Sequence, residues 1–242
     1  MRIGFFGDSF CMEESNFHSW GKKYETYIRK IKNHYGASIV NLGHGGSSGW
    51  DVILNQFPKH QDDLPDVSIF CWTDCHRLFN PKVRNIGLWV LNPEHRKDPV
   101  VNIIHWFNQK AYDAAREYYT HIHDDKKAVR EMQAAWYHFD TTVLKPLENK
   151  TKIIHLWSFG NIEKRNTDHS VDPEHVTYDY RWTSGVEIRP SLSCFRLEGP
   201  KFHHAANHIG TDESNSKIAE LLIDTIDNHQ NGKLIVYDKP CK

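Results

Sequence analysis

Long hydrophobic runs are missing from this chain of 242 residues. No stretch of about 18 apolar residues occurs, so no helix is expected to span a membrane. A dominant charge is missing too: 30 Lys and Arg face 31 Asp and Glu, for a formal charge of −1. That balance carries no electrostatic footprint for nucleic acid or an anionic membrane surface. Cysteine is scarce and unpatterned. The five, Cys11, Cys71, Cys75, Cys194 and Cys241, are odd in number and fit neither a zinc ribbon nor a thioredoxin motif. They read as free thiols of a reducing compartment. The apolar N-terminal segment is too short for a signal peptide and lacks its basic region and cleavage site, so a cytoplasmic location is expected. Repeats and low-complexity segments are absent.

What is present fits a soluble globular protein: 39% apolar and 25% charged residues, with eight Trp, ten Tyr, twelve Phe and seventeen His. The length suffices for a sizeable core. Residues 2–7 read as a buried strand. Trp20, Tyr24, Tyr27, Ile28 and Ile31 recur at helical spacing over 18–35, and Gly36 ends that helix. Residues 37–43 read as a second strand, and 44–57 as a Gly/Ser turn leading into a short helix. Strands three and four are expected at 66–72 and 151–159. Between them, 102–123 and 126–147 read as two long amphipathic helices. Residues 160–200 are polar and irregular, with 191–197 a candidate fifth strand. A C-terminal helix over 212–229 and a short tail strand at 233–237 complete the chain. Strands alternating with helices predict a parallel sheet with both faces covered, hence strands that are continuously apolar.

In such a sheet ligands bind beyond the carboxyl ends of the strands. Gly7, Asp8 and Ser9 follow strand one; Gly43 to Ser48 follow strand two; Thr73, Asp74, His76 and Arg77 follow strand three. His203, His204, Asn207 and His208 precede the last helix.

This order resembles the SGNH, or GDSL-type, hydrolase superfamily. Gly7-Asp8-Ser9 matches the first motif, "NLGHGGSSG" the second through Gly46 or Gly45, "CWTD" stands at the third, and "NHIGTDESNSKIAELL" matches the last. The resemblance covers most of the chain apart from 80–150 and 160–190. It implies an α/β, flavodoxin-like, three-layer α/β/α fold with a parallel sheet of about five strands in a single domain, 1–242. The helices of 80–150 would be an elaboration and 160–200 a loop. It further implies a serine esterase. Ser9 would be the nucleophile and His208 the base; the oxyanion hole would be formed by the N–H groups of Ser9 and Gly46, with Thr73 nearby. Asp8, Asp74 and Asp212 are candidate supporting residues. No cofactor and no metal are called for, and the partner would be a small-molecule or carbohydrate ester.

Two motifs depart from the family. The third turn has Cys71 for the usual glycine and Thr73 for asparagine, so the carboxamide donor is lost. Ala205 stands where an aspartate would precede His208, leaving Asp212, Glu198 or a loop carbonyl to orient the ring. These departures support the alternative of a non-catalytic binding or assembly domain of the same fold. Two further rivals exist. "GGSSG", 45–49, matches the G-x-S-x-G elbow and would make Ser47 the nucleophile. A metal site would draw on His204 and His208, or on His121, His123 and Asp124, but H-E-x-x-H is absent.

Overall fold

The computed structural model describes residues 1–12, 25–80, 86–91, 108–158, 180–189, 191–192, 209 and 211–236. Six strands form one all-parallel sheet: β1 (Arg2–Gly7), β2 (Ser38–Asn41), β3 (Val67–Trp72), β4 (Lys152–Trp157), β5 (Val186–Arg189) and β6 (Lys233–Val236), in the order β2-β1-β3-β4-β5-β6. Where about five strands were expected, the described residues hold six. β5 lies inside the segment read as an irregular loop, and it precedes the stretch 191–197 in which a strand was expected. Ser191 and Leu192 are not strand, and 193–197 lie outside the described residues.

The central strands send apolar side chains to both faces, as continuous hydrophobic runs require. Ile3, Phe5, Val67, Ile69, Ile154 and Leu156 join one core with Ile28 and Ile31 of α1 (Tyr27–Tyr35) and Ile218, Leu222 and Ile226 of the C-terminal helix, Asp212–Asp227. Phe6, Phe70, Trp72, Ile153 and Trp157 join the second core. That core rests on a helical run that starts as α2 (Gly49–Asp51) and continues through a π turn, Val52–Gln56, and a 3₁₀ turn, Phe57–His60. Helices thus cover both faces, giving the three-layer arrangement.

The elaboration between β3 and β4 is a hairpin of α3 (Gln109–His121) and α4 (Asp125–His138), the latter passing into a π turn, Phe139–Leu144. Tyr112, Ala115 and Tyr119 of α3 close a small separate core with Ile86 and Val90. Met132, Trp136 and Phe139 instead enter the second main core. The C-terminal helix is α5 (Asp212–Asp227).

Local chemistry sets the boundaries. α1 begins at Tyr27 because the Thr26 side chain caps the Arg29 N–H at 3.2 Å, later than the expected start at 18; residues 13–24 lie outside the described residues. It ends at Gly36 as expected, where the Ala37 N–H bonds back to the Lys32 carbonyl at 2.9 Å and takes Ala37 out of β2. α5 is capped by Thr211, which accepts the Ser214 N–H at 3.0 Å. Among the described residues no helix is long and apolar enough to cross a membrane.

Candidate active site

β1 stops at Gly7, and Asp8 turns the chain into a short 3₁₀ turn, Ser9–Cys11. The capping role falls to Asp8, whose Oδ1 accepts the Phe10 N–H at 3.1 Å. Asp8 is fully buried and takes three further donors. The Thr73 hydroxyl, from the end of β3, donates to Oδ2 at 2.7 Å. The Ser158 hydroxyl, from the end of β4, donates to Oδ1 at 2.8 Å. The Arg77 guanidinium reaches Oδ2 at 3.3 Å and the Ser47 carbonyl at 2.9 Å. One carboxylate therefore ties together the carboxyl ends of three strands, in a place where an uncompensated charge would be costly.

The loop after β2 closes on the same turn. The Gly43 N–H bonds to the Cys11 carbonyl and the His44 N–H to the Gly7 carbonyl, each at 3.0 Å. A Cβ at position 43 would stand 2.4 Å from the Asp8 carbonyl oxygen, so only glycine lets the two loops meet. Gly46 has φ of +74° inside a turn closed by the Ser47 N–H on the His44 carbonyl at 3.0 Å, the φ of the third residue of a type II turn. Ser9, Gly46 and Thr73 thus sit on three loops at one end of the sheet.

Beneath them lies a buried polar knot. Gln56 exchanges two hydrogen bonds with the Gly7 backbone, at 2.9 Å each, and donates to Ser47 Oγ at 2.7 Å and Asp51 Oδ2 at 2.8 Å. Ser47 donates in turn to Asp51. Burial pushes the Asp51 carboxyl up; hydrogen bonds from Gln56, Ser47 and Asn55, with His44 Nδ1 at 3.8 Å, outweigh it and hold the group well below the usual carboxylate range. Ser47 is 0% exposed and saturated, whereas Ser9 is 9% exposed. The G-x-S-x-G rival therefore has its serine spent on packing the turn.

The remaining candidates have separate partners. Asp74 accepts the His76 N–H at 2.9 Å, closing its own turn. Asp212 is the first residue of α5, with its carboxylate 3.0 Å from Lys30 Nζ. Cys71 is buried with Sγ 3.1 Å from Ser158 Oγ, and burial and the neighbouring Cys11 push its thiol well above the usual range. Cys11, Cys71 and Cys75 are all free thiols. Trp72, Trp136, Trp157 and Trp182 pack against one another in the second core.

His203, His204, Ala205, Asn207 and His208 lie outside the described residues, as does Glu198. The next residue, Ile209, is buried in the first core together with Phe10 and Cys11. A chain of three hydrogen bonds joins the two ends of the motif. The Tyr27 hydroxyl donates to the Phe10 carbonyl at 2.8 Å, the Tyr27 N–H to Asn215 Oδ1 at 2.9 Å, and Asn215 Nδ2 to the Ile209 carbonyl at 3.0 Å. The residue after Ser9 and the residue after His208 are thus held in one network.

Sequence reasoning passed over Ser158 and Gln56. Ser158 follows β4 just as Thr73 follows β3, but the strand expected at 151–159 placed it inside the strand; the observed end at Trp157 is what exposes it to the strand-end rule. Gln56 carries no local signal. For metal ligation, two groups gather among the described residues: Asp74 with Cys75 and His76, and His76 with His123 and Asp125. The pairing of His123 with His121 and Asp124 does not form: His121 faces Glu117 at 3.5 Å, and Asp124 caps α4 through the Lys127 N–H at 2.6 Å.

No protein-family model matches this chain, and neither a curated protein nor a solved structure does.

Proposed function

We propose that the protein is an SGNH-type serine esterase acting through Ser9. The observation that carries this reading is the hydrogen-bond chain from Phe10 through Tyr27 and Asn215 to Ile209, which holds the neighbours of Ser9 and His208 together across one end of the sheet. In the reaction, Ser9 Oγ attacks the ester carbonyl carbon while His208 takes the hydroxyl proton. The N–H groups of Ser9 and Gly46 would receive the oxyanion. The tetrahedral intermediate collapses, the C–O bond to the alcohol breaks, and His208 returns the proton to it. Water then repeats the sequence on the acyl-enzyme, releasing the acid and restoring Ser9.

Asp8 and Thr73 support the site without touching substrate. Because the Thr73 hydroxyl hydrogen is given to Asp8, the oxyanion would rest on backbone donors alone. Loss of one such donor costs about 3–4 kcal/mol of transition-state stabilisation in other acyl-transfer enzymes, so slow turnover is expected. The same hydrogen bond favours a second reading, a non-catalytic binding domain with this fold.

A fluorophosphonate label followed by peptide mapping separates the two, with short-chain aryl esters as substrates. Label on Ser9, together with ester hydrolysis that Ser9→Ala abolishes while the circular dichroism spectrum is unchanged, is the expected result. Label on Ser47, or on no residue, sinks the esterase reading.

A further inference from the structure

The His76 side chain has no exposed surface, and among the described residues neither of its ring nitrogens has a hydrogen-bond partner. Orphaned buried polar atoms are few in native proteins, and each calls for an explanation. The ring does not stand alone. Nδ1 lies 3.6 Å from Asp125 Oδ1, and His123 Nε2 lies 2.9 Å from the same oxygen. The two imidazoles meet edge to face, 5.2 Å between centroids. Among the same described residues, His123 Nδ1 is likewise buried without a hydrogen bond.

The backbone fixes both rings from outside. The Tyr119 hydroxyl, on α3, donates to the His76 carbonyl at 2.5 Å, and the His123 N–H bonds to the Tyr118 carbonyl at 2.8 Å in the turn between α3 and α4. Two imidazoles and a carboxylate from two distant parts of the chain are therefore brought to one point by the fold.

The geometry points to a binding site for one divalent transition-metal ion, zinc fitting best, formed by His76, His123 and Asp125. The ligand atoms of the three all lie within 4.8 Å of one another. Atoms 2.0–2.2 Å from a common tetrahedral ion stand about 3.4 Å apart. The measured 2.9 and 3.6 Å fall on either side of that value. Imidazole donors select zinc and its neighbours over magnesium and calcium, which take oxygen ligands. Asp125 is 45% exposed, so an ion could reach the site from solvent on its side. Asp74 and Cys75 also gather at His76, but they come from its own loop and Asp74 already holds the His76 N–H. His123 and Asp125 come from the hairpin, so the ion would clamp the hairpin to the loop that supplies Thr73 and Arg77. The site shares no residue with the Ser9 and His208 reading and stands or falls apart from it.

The test uses the full chain without an affinity tag, stripped with a chelator and titrated with zinc chloride by calorimetry. One saturable equivalent is expected, bound at least about tenfold more weakly by His123→Gln and by Asp125→Asn, as loss of metal-site partners generally gives. Zinc should also raise the melting temperature of the parent chain and not of the variants. His76→Gln belongs in the series, but the conclusion does not need that buried variant to fold. Absence of a saturable equivalent overturns the proposal. So does binding that either His123→Gln or Asp125→Asn leaves unchanged, and so does tighter binding of magnesium than of zinc.

Discussion

At Asp8 a buried carboxylate receives the Phe10 N–H, the Thr73 and Ser158 hydroxyls and the Arg77 guanidinium. Thr73 gives the shortest of these bonds, and Oδ2 would be left with Arg77 at 3.3 Å if it were removed. Thr73→Val keeps the shape and deletes the donor. It should lower stability by about 1.5–3 kcal/mol, the range for a hydrogen bond to a charged group, read as a shift of the urea midpoint. Thr73→Ser should recover most of the loss; an unmoved midpoint in Thr73→Val would show that the bond carries no weight. At this scale the sequence was readable where the motif lies in consecutive residues, as in Gly7-Asp8-Ser9. It was silent where partners lie 49 positions apart, as for Gly7 and Gln56, or 150 apart, as for Asp8 and Ser158.

Among elements, strands buried on both faces were the most legible, because their apolar runs are short and bounded by turn residues, which a buried helix would not be. β1 was placed to the residue, and β3 and β4 within two residues at each end. β5 was missed although "VEIR" alternates apolar and charged residues as a strand does, because only four residues carry the pattern inside a long polar segment. Glu187 is in fact buried, held by its strand neighbour Arg189 Nε at 2.6 Å and by the Trp157 Nε1–H at 3.1 Å, a partner 30 positions away that no local window contains. The π turns Val52–Gln56 and Phe139–Leu144 were also invisible, since one wider turn inside a helix barely alters hydrophobic spacing. The former ends on Gln56, the residue that grips Gly7, so the irregular turn and the site meet at one side chain.

Across the whole molecule the two cores are joined through the sheet, and the second contains a histidine. His155 on β4 is fully buried, stacked on Trp182 at 4.0 Å between centroids, and accepts the Trp72 Nε1–H on Nδ1 at 3.1 Å. Burial disfavours the imidazolium and lowers its pKa to about 3, although Asp140 and the Ser184 backbone pull the other way. The unfolded chain takes up this proton near pH 6.5, the folded one only near pH 3. Between those values the unfolded state holds the extra proton, so stability falls as the pH falls, by up to about 1.4 kcal/mol per pH unit. Asp51 and Asp140, whose pKa values are lowered, add their losses only further down, below the ordinary carboxylate range. His155→Phe keeps the stacked ring and removes the titration. It should be less stable than the parent at pH 7, by about 1–3 kcal/mol for the orphaned Trp72 N–H. The gap should close between pH 6.5 and 5 in urea titrations; a gap independent of pH would refute the assignment.

The meeting of strand ends on Asp8 also bears on how the chain reaches its native state. In the register of the sheet Ile3 lies beside Val67 and Val67 beside Lys152, and every adjacent pair is parallel, so no hairpin can seed the central strands. Pairings so distant in sequence are slow to form, since the loops between them must close first. Thr73 and Ser158 can both reach Asp8 only after β1, β3 and β4 have docked, which places this network on the native side of the folding barrier. Thr73→Val should accordingly quicken unfolding in stopped-flow experiments and leave refolding almost untouched, a φ-value near zero. On that outcome the lock beside Ser9 is a brake on opening, and the lifetime of the folded state, more than the speed of its formation, depends on one buried carboxylate.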